Sequence, residues 1–284
     1  MRDRRRGRGE AGFTAFLALC AGVSLTFLAV PIVALFWEAP LAEVPSLLGD
    51  PVVQDILAVT ARTNLIANLL ILGFGTPTAY LLATREFRGR TLAITLVELP
   101  LVLPPAVAGI GLLAAFGSSG LLGGALGSAG IVIPFTEWAV VLAITFVASP
   151  FYVRQAIAAF QSVDPLLPAA ARTLGAGPVR TFFRVLMPLA ASGLAAGWVL
   201  TFARGIGEFG ATIMFAGNVH GVTQTLTLGI YEELNGDFGL ALAIGVLLVI
   251  LSAAVLLAYK LISSWRSSNS TSTYAYAPSA SSSR

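Results

Sequence analysis

Arg204 and Glu208 stand four residues apart inside a long apolar run, a spacing that puts a guanidinium and a carboxylate on one face of a helix. At the centre of a bilayer an isolated charge costs about 2.5–3.5 kcal/mol on insertion scales, so each of the two needs a partner or water. Two kinds of chemistry fit: a neutral ion pair that holds helices together, or a pair that lines or gates a polar pathway. Glu98, in an earlier run, is under the same constraint. It lies about two turns beyond Arg90 and is expected to pair with basic residues near that end. Thr145 and Ser149 in a fourth run, with Thr201, Thr212 and Asn218 in or just after the fifth, add neutral hydrogen-bonding groups. They suit bonds between helices, and equally suit weak contacts with a solute that has to be released again.

Catalytic chemistry finds little support. His220 is the sole histidine and falls in a loop between apolar runs, so no histidine-based triad or metal cluster can form inside the membrane. Lys260 is the sole lysine and follows Leu256-Leu257-Ala258-Tyr259, which is not a P-loop. Cys20 is alone, which excludes an intrachain disulfide. No catalytic residue, resident metal or cofactor is expected, and any energy from ATP must enter through another subunit.

The elements that position these groups follow from composition. The chain has 284 residues, 56% of them apolar and 11% charged, with a mean hydropathy of +0.85. A soluble domain cannot bury that much apolar surface, so an all-α integral membrane protein is expected. Six stretches are long enough to cross a bilayer, at 13–36, 63–83, 92–116, 138–160, 189–216 and 238–262. The fifth is long for one crossing. Five Arg lie in the first eight residues, Arg85, Arg88 and Arg90 follow the second stretch, and Arg154, Arg172, Arg180 and Arg184 lie at or beyond the end of the fourth. Lys260, Arg266 and Arg284 close the chain, whereas 37–60, 117–137 and 217–237 hold no Lys or Arg. The positive-inside rule then makes both termini and the 164–188 loop cytoplasmic. It also explains the net charge of +3 without a nucleic-acid partner.

This gives a basic cytoplasmic tail over 1–12, a membrane domain over 13–262, and a Ser-rich tail over 263–284 expected to be disordered. The first apolar run is about 24 residues, longer than the roughly 7–15 of a signal-peptide core, so an uncleaved first helix is expected. Pro77, Pro100, Pro104, Pro105 and Pro150 lie inside spans, where they bend helices either for a gated path or for packing. No internal repeat stands out.

The polar segment between Asp164 and Pro188 reads as two short helices. Asp164 is a good N-cap with Pro165 after it, Gly175 or Gly177 can end the first helix in a left-handed conformation, and Pro178 can start the second. Val179, Phe182, Phe183 and Leu186 form one apolar face, with Arg180 and Arg184 beside it. Such a knob suits docking into a groove on a partner. Its spacing resembles the coupling loop of ABC-importer permeases, Glu-Ala-Ala-x3-Gly-x9-Ile-x-Leu-Pro. Ala170, Ala171, Gly175, Val185, Met187 and Pro188 take the matching positions, and Ala169 stands where that pattern has Glu. Ala169, Ala170, Ala171, Arg172, Gly175, Ala176 and Pro188 are the expected coupling residues.

A closer resemblance lies in Phe202–Asn218, which is similar to the fifth-span signature of molybdate permeases, an Arg and a Gly-Glu-Phe-Gly-Ala-Thr run before Gly-Asn. Leu99–Gly109, Phe146–Ala156 and Thr223–Tyr231 also look like that family. Sulfate permeases tend to carry Gly-Glu-Tyr-Gly-Ser at the same place. The resemblance implies a type I ABC-importer permease fold with six transmembrane helices, working in the cell membrane as a homodimer. It implies two cytoplasmic ATPase subunits on the 164–188 loops and an extracytoplasmic molybdate-binding protein on the opposite face. The solute would be molybdate, with tungstate, sulfate or thiosulfate as alternatives; an ion-coupled secondary transporter is the reading from another class. Thr145, Ser149, Thr201, Arg204, Glu208, Thr212 and Asn218 are the pathway or gate candidates.

Overall fold

The computed structural model describes residues 2–42 and 44–271, with side chains described over 13–42 and 44–261. Its regular elements are all helical among the described residues. The first, α1 (Arg2–Glu38), is unbroken and exposed over its apolar length. It meets the rest of the molecule near its end, where Leu35 lies against Gly245.

After a single short turn of helix at Val44–Leu47, the next long helix, α2 (Pro51–Thr84), begins well before the expected boundary at 63. Asp50 caps it, accepting from the Val52 N–H at 2.8 Å, and Pro51 occupies the first turn where no donor is needed. Gln54, Asp55 and Arg62 lower the hydropathy of these first turns, which is why the apolar run understates the helix.

The stretch 92–116, expected as one crossing, is two helices: α3 (Arg90–Val102) and α4 (Pro105–Phe116), bent by 117°. Leu103 and Pro104 are both extended, with φ −67°, ψ 132° and φ −55°, ψ 133°. Each precedes a proline, which disfavours helical backbone there. By contrast α5 (Glu137–Gln161) continues through Pro150, and α2 continues through Pro77.

After α6 (Leu166–Thr173) comes α7 (Pro178–Ile206), one continuous rod with a π-helical turn at Phe182–Leu186. The expected fifth span does not run on to 216. It stops at Gly207 and restarts as α8 (Gly210–Ala216). A loop leads to α9 (Leu226–Glu233) and then to α10 (Phe238–Thr271). That last helix includes the beginning of the segment expected to be a disordered tail; 272–284 lie outside the described residues. Five helices are long and apolar enough to cross a membrane, six if the bent pair counts as one span, among the described residues.

The core lies between α2, α5 and α7 and is built on small residues: Ala67, Ala79, Ala143, Ala148, Ala156 and Ala190 are all buried. Small side chains let helix backbones approach, the main source of attraction between helices in lipid. Gly193 sits so close to Ala159 that an added Cβ would lie 2.5 Å from the Ala159 Cβ. The two short halves, α4 and α8, pack on each other through Gly109 and Gly210. A Cβ on Gly109 would meet the Ala211 carbonyl at 2.6 Å, and one on Gly210 would meet Pro105 at 2.7 Å.

Candidate functional site

The break in the fifth span is organised around Glu208. Its side chain is 1% exposed and ion-pairs with Arg204 Nη2 at 2.6 Å. Its other carboxylate oxygen accepts the Ala211 N–H at 2.8 Å, which caps the restarted helix α8. Its backbone carbonyl accepts the Thr227 hydroxyl at 2.7 Å, tying the break to α9. Below the break, Asn64 of α2 donates to the Phe202 carbonyl at 3.2 Å. Gly205 lies directly against Asn64 Oδ1, leaving no room for a side chain. The ion pair read from spacing is therefore real, and it spans the last turn of α7 and the break instead of lying within one straight helix.

Among the other pathway candidates, Thr201 and Thr212 are fully buried and their hydroxyls have no hydrogen-bond partner. Thr145 donates to the Val141 carbonyl at 2.7 Å and Ser149 to the Phe146 carbonyl at 3.4 Å, each within its own helix. Asn218 is drawn outward, donating to Glu232 at 2.7 Å. The same carboxylate receives Gln224 and lies 3.0 Å from His220 Nε2, so the 217–225 loop is clasped onto α9. Glu98 pairs with Arg154 at 3.1 Å, joining α3 to α5, so the expected basic partner is supplied by another helix.

Sequence reasoning passed over the buried polar face of α2. Thr60, Thr63, Asn64 and Asn68 are at most 3% exposed. Thr60 accepts the Leu226 N–H at 2.9 Å, and Asn68 donates to the Asn64 carbonyl at 2.8 Å. Their i, i+3, i+4, i+8 spacing was the available signal, since it places all four on one side of a helix.

The segment 164–188 folds as two short helices. Asp164 accepts the Leu166 N–H at 2.9 Å. Gly175 has φ +83°, and the Ala176 N–H reaches back to the Ala171 carbonyl at 3.0 Å, which closes the first helix with a left-handed cap. Thr181 is buried and bonds the Gly177 carbonyl at 3.0 Å, fixing the start of α7. Ala169, Ala170, Arg172, Gly175 and Pro188 are exposed, with Ala171 and Ala176 half-buried. Leu174, Val179 and Phe183 are 88%, 70% and 61% exposed. Phe182 turns inward onto Tyr80 and Phe160, anchoring the knob to α2 and α5.

The family described as binding-protein-dependent transport system inner membrane component matches residues 71–268. The molybdenum transport system permease protein ModB of Mycobacterium bovis is 41% identical over 242 residues, 85% of this chain and 91% of that one. The sulfate transport system permease protein CysT of Synechococcus elongatus is 34% identical over 249 residues, 84% of this chain and 87% of that one. Among solved structures, a bacterial alginate ABC transporter in complex with an alginate-bound periplasmic protein superposes with a TM-score of 0.73 at 18% identity, covering 88% of this chain and 93% of that one.

Proposed function

The chain belongs to the family of binding-protein-dependent transport system inner membrane components and is a permease subunit of an ABC importer, and from that footing we propose that the solute it moves is molybdate, with tungstate as a second substrate. The observation that carries the reading is the 41% identity to a molybdenum permease along 85% of the chain. It is supported by the Gly207-Glu208-Phe209-Gly210-Ala211 run, in which Glu208 organises the break. The 34% identity to a sulfate permease over a similar length favours sulfate as the second reading.

In the proposed mechanism two copies of the chain enclose a path along their common axis, with both termini in the cytoplasm. Two ATPase subunits dock on the 164–188 knobs, whose exposed Leu174, Val179 and Phe183 supply apolar contact. An external binding protein delivers the anion at the opposite face. The knob and the Glu208 break are joined by one 29-residue helix, α7. At 1.5 Å per residue it is a lever about 43 Å long. Closure of the ATPases on ATP shifts the knob, and α7 carries that displacement to the break without an intervening hinge. Few of the candidate groups present a charge, as suits an anion that must leave as readily as it enters.

Uptake of labelled molybdate tests this in cells carrying the chain, its ATPase and its binding protein, with excess unlabelled sulfate as competitor. Uptake that requires the chain and resists sulfate is expected. Uptake abolished by sulfate would move the assignment to the sulfate reading, and uptake that persists with a disabled ATPase would contradict ATP coupling.

A further inference from the structure

Among the proposed pathway residues Arg204 alone combines a positive charge with an open face. Thr201 and Thr212 are sealed inside the protomer, and Thr145 and Ser149 spend their hydroxyls on their own helices. Arg204 keeps 27% of its side chain exposed while Glu208, which holds it, keeps 1%. A guanidinium has five N–H donors, and its contact with Glu208 at 2.6 Å is made through Nη2. Charge left facing lipid would cost about 2.5–3.5 kcal/mol, which favours a second copy or an aqueous cavity against this face.

We infer that Arg204 is the contact that oxyanions make on their way through, and that Glu208 sets how loosely it holds them. This rests on the oxyanion reading above. An unpaired guanidinium in a low-dielectric site would bind a dianion bidentately and keep it. A carboxylate buried against one edge cancels much of that charge at distance, yet leaves N–H groups free for short-range hydrogen bonds. The pair is also fixed in place: the Ala211 N–H holds the carboxylate, and the Thr227 hydroxyl holds the adjoining backbone carbonyl. Attraction is thereby present at the break and limited there, which conduction demands.

The two partners then have opposite effects on binding, an outcome that a purely structural ion pair would not give. Equilibrium binding of labelled molybdate is measured on the purified permease–ATPase complex without its binding protein, alongside uptake by the complete system. Arg204→Gln is expected to weaken binding at least tenfold, and Arg204→Lys by less than Arg204→Gln. Glu208→Gln keeps an acceptor for the Ala211 N–H while removing the charge; it is expected to tighten binding several-fold and to slow uptake. Unchanged binding in an assembled Arg204→Gln complex overturns the inference, as does weaker binding in Glu208→Gln. Wild-type uptake of molybdate with no measurable binding to the complex also overturns it while leaving the transport reading intact. Absence of wild-type uptake of molybdate, tungstate and sulfate alike removes the transport reading itself.

Discussion

Two spans of this molecule are interrupted, at Leu103–Pro104 and at Gly207–Phe209, and the interruptions have different physical origins. The first is covalent. Two consecutive prolines withhold N–H donors and push the residues before them out of the helical region, and no side chain caps the restarted helix. The second contains no proline. There the chain leaves the helix because Glu208 gives its carboxylate to Arg204 and to the Ala211 N–H, while its carbonyl takes the Thr227 hydroxyl. A break written into backbone chemistry is insensitive to its surroundings. A break held by three side-chain contacts depends on them, and it is the one that α7 joins to the knob. The two meet where α4 packs on α8, through Gly109 and Gly210.

That difference can be broken from either side. Glu208→Ala should have the largest effect, destabilising the purified complex by about 3 kcal/mol, because it strands a partly buried guanidinium and an uncapped N–H. A thermal unfolding midpoint that does not move would show that the second break needs no side chain. Gly109→Ala comes next, at about 2 kcal/mol, since its Cβ would press on the Ala211 backbone, which has no flexible end to yield. It should also reduce uptake, as the two short halves are wedged apart; normal uptake and stability would show that they are mechanically independent. Thr227→Val removes the hydroxyl that the Glu208 carbonyl accepts and should lower stability by about 1 kcal/mol. Pro104→Ala should do least, about 0.5 kcal/mol, because Pro105 still disfavours helical backbone at position 104. A loss as large as that in Glu208→Ala would erase the contrast between the two breaks.

How much of this could be read from the chain tracks the same division. The knob was legible almost residue by residue, since Asp164, Gly175 and Pro178 act on the backbone next to them and need no tertiary partner. The bend near Pro104 was legible as a tendency, although its 117° angle turned one expected crossing into two helices. The Arg204–Glu208 pair was legible from spacing. Its role at a break was not, because Ala211 and Thr227 become partners of Glu208 only once α8 and α9 are folded around it. Asn64 went unread for a similar reason: an amide in an apolar run looks incidental until the carbonyl it serves, Phe202, arrives from 138 positions away. The start of α2 was missed because hydropathy reports what lies in lipid and not how far the helix continues beyond it.

The most direct test of Glu208 as the organiser of the fifth-span break is the charge swap, Arg204→Glu with Glu208→Arg, read as the thermal unfolding midpoint of the assembled complex. The swap restores an ion pair at i, i+4 but puts a donor where the Ala211 N–H needs an acceptor. Stability should therefore stay well below wild type, close to that of Glu208→Ala. Recovery of the wild-type midpoint would mean that pairing alone suffices, and would contradict a break made by the bonds of Glu208.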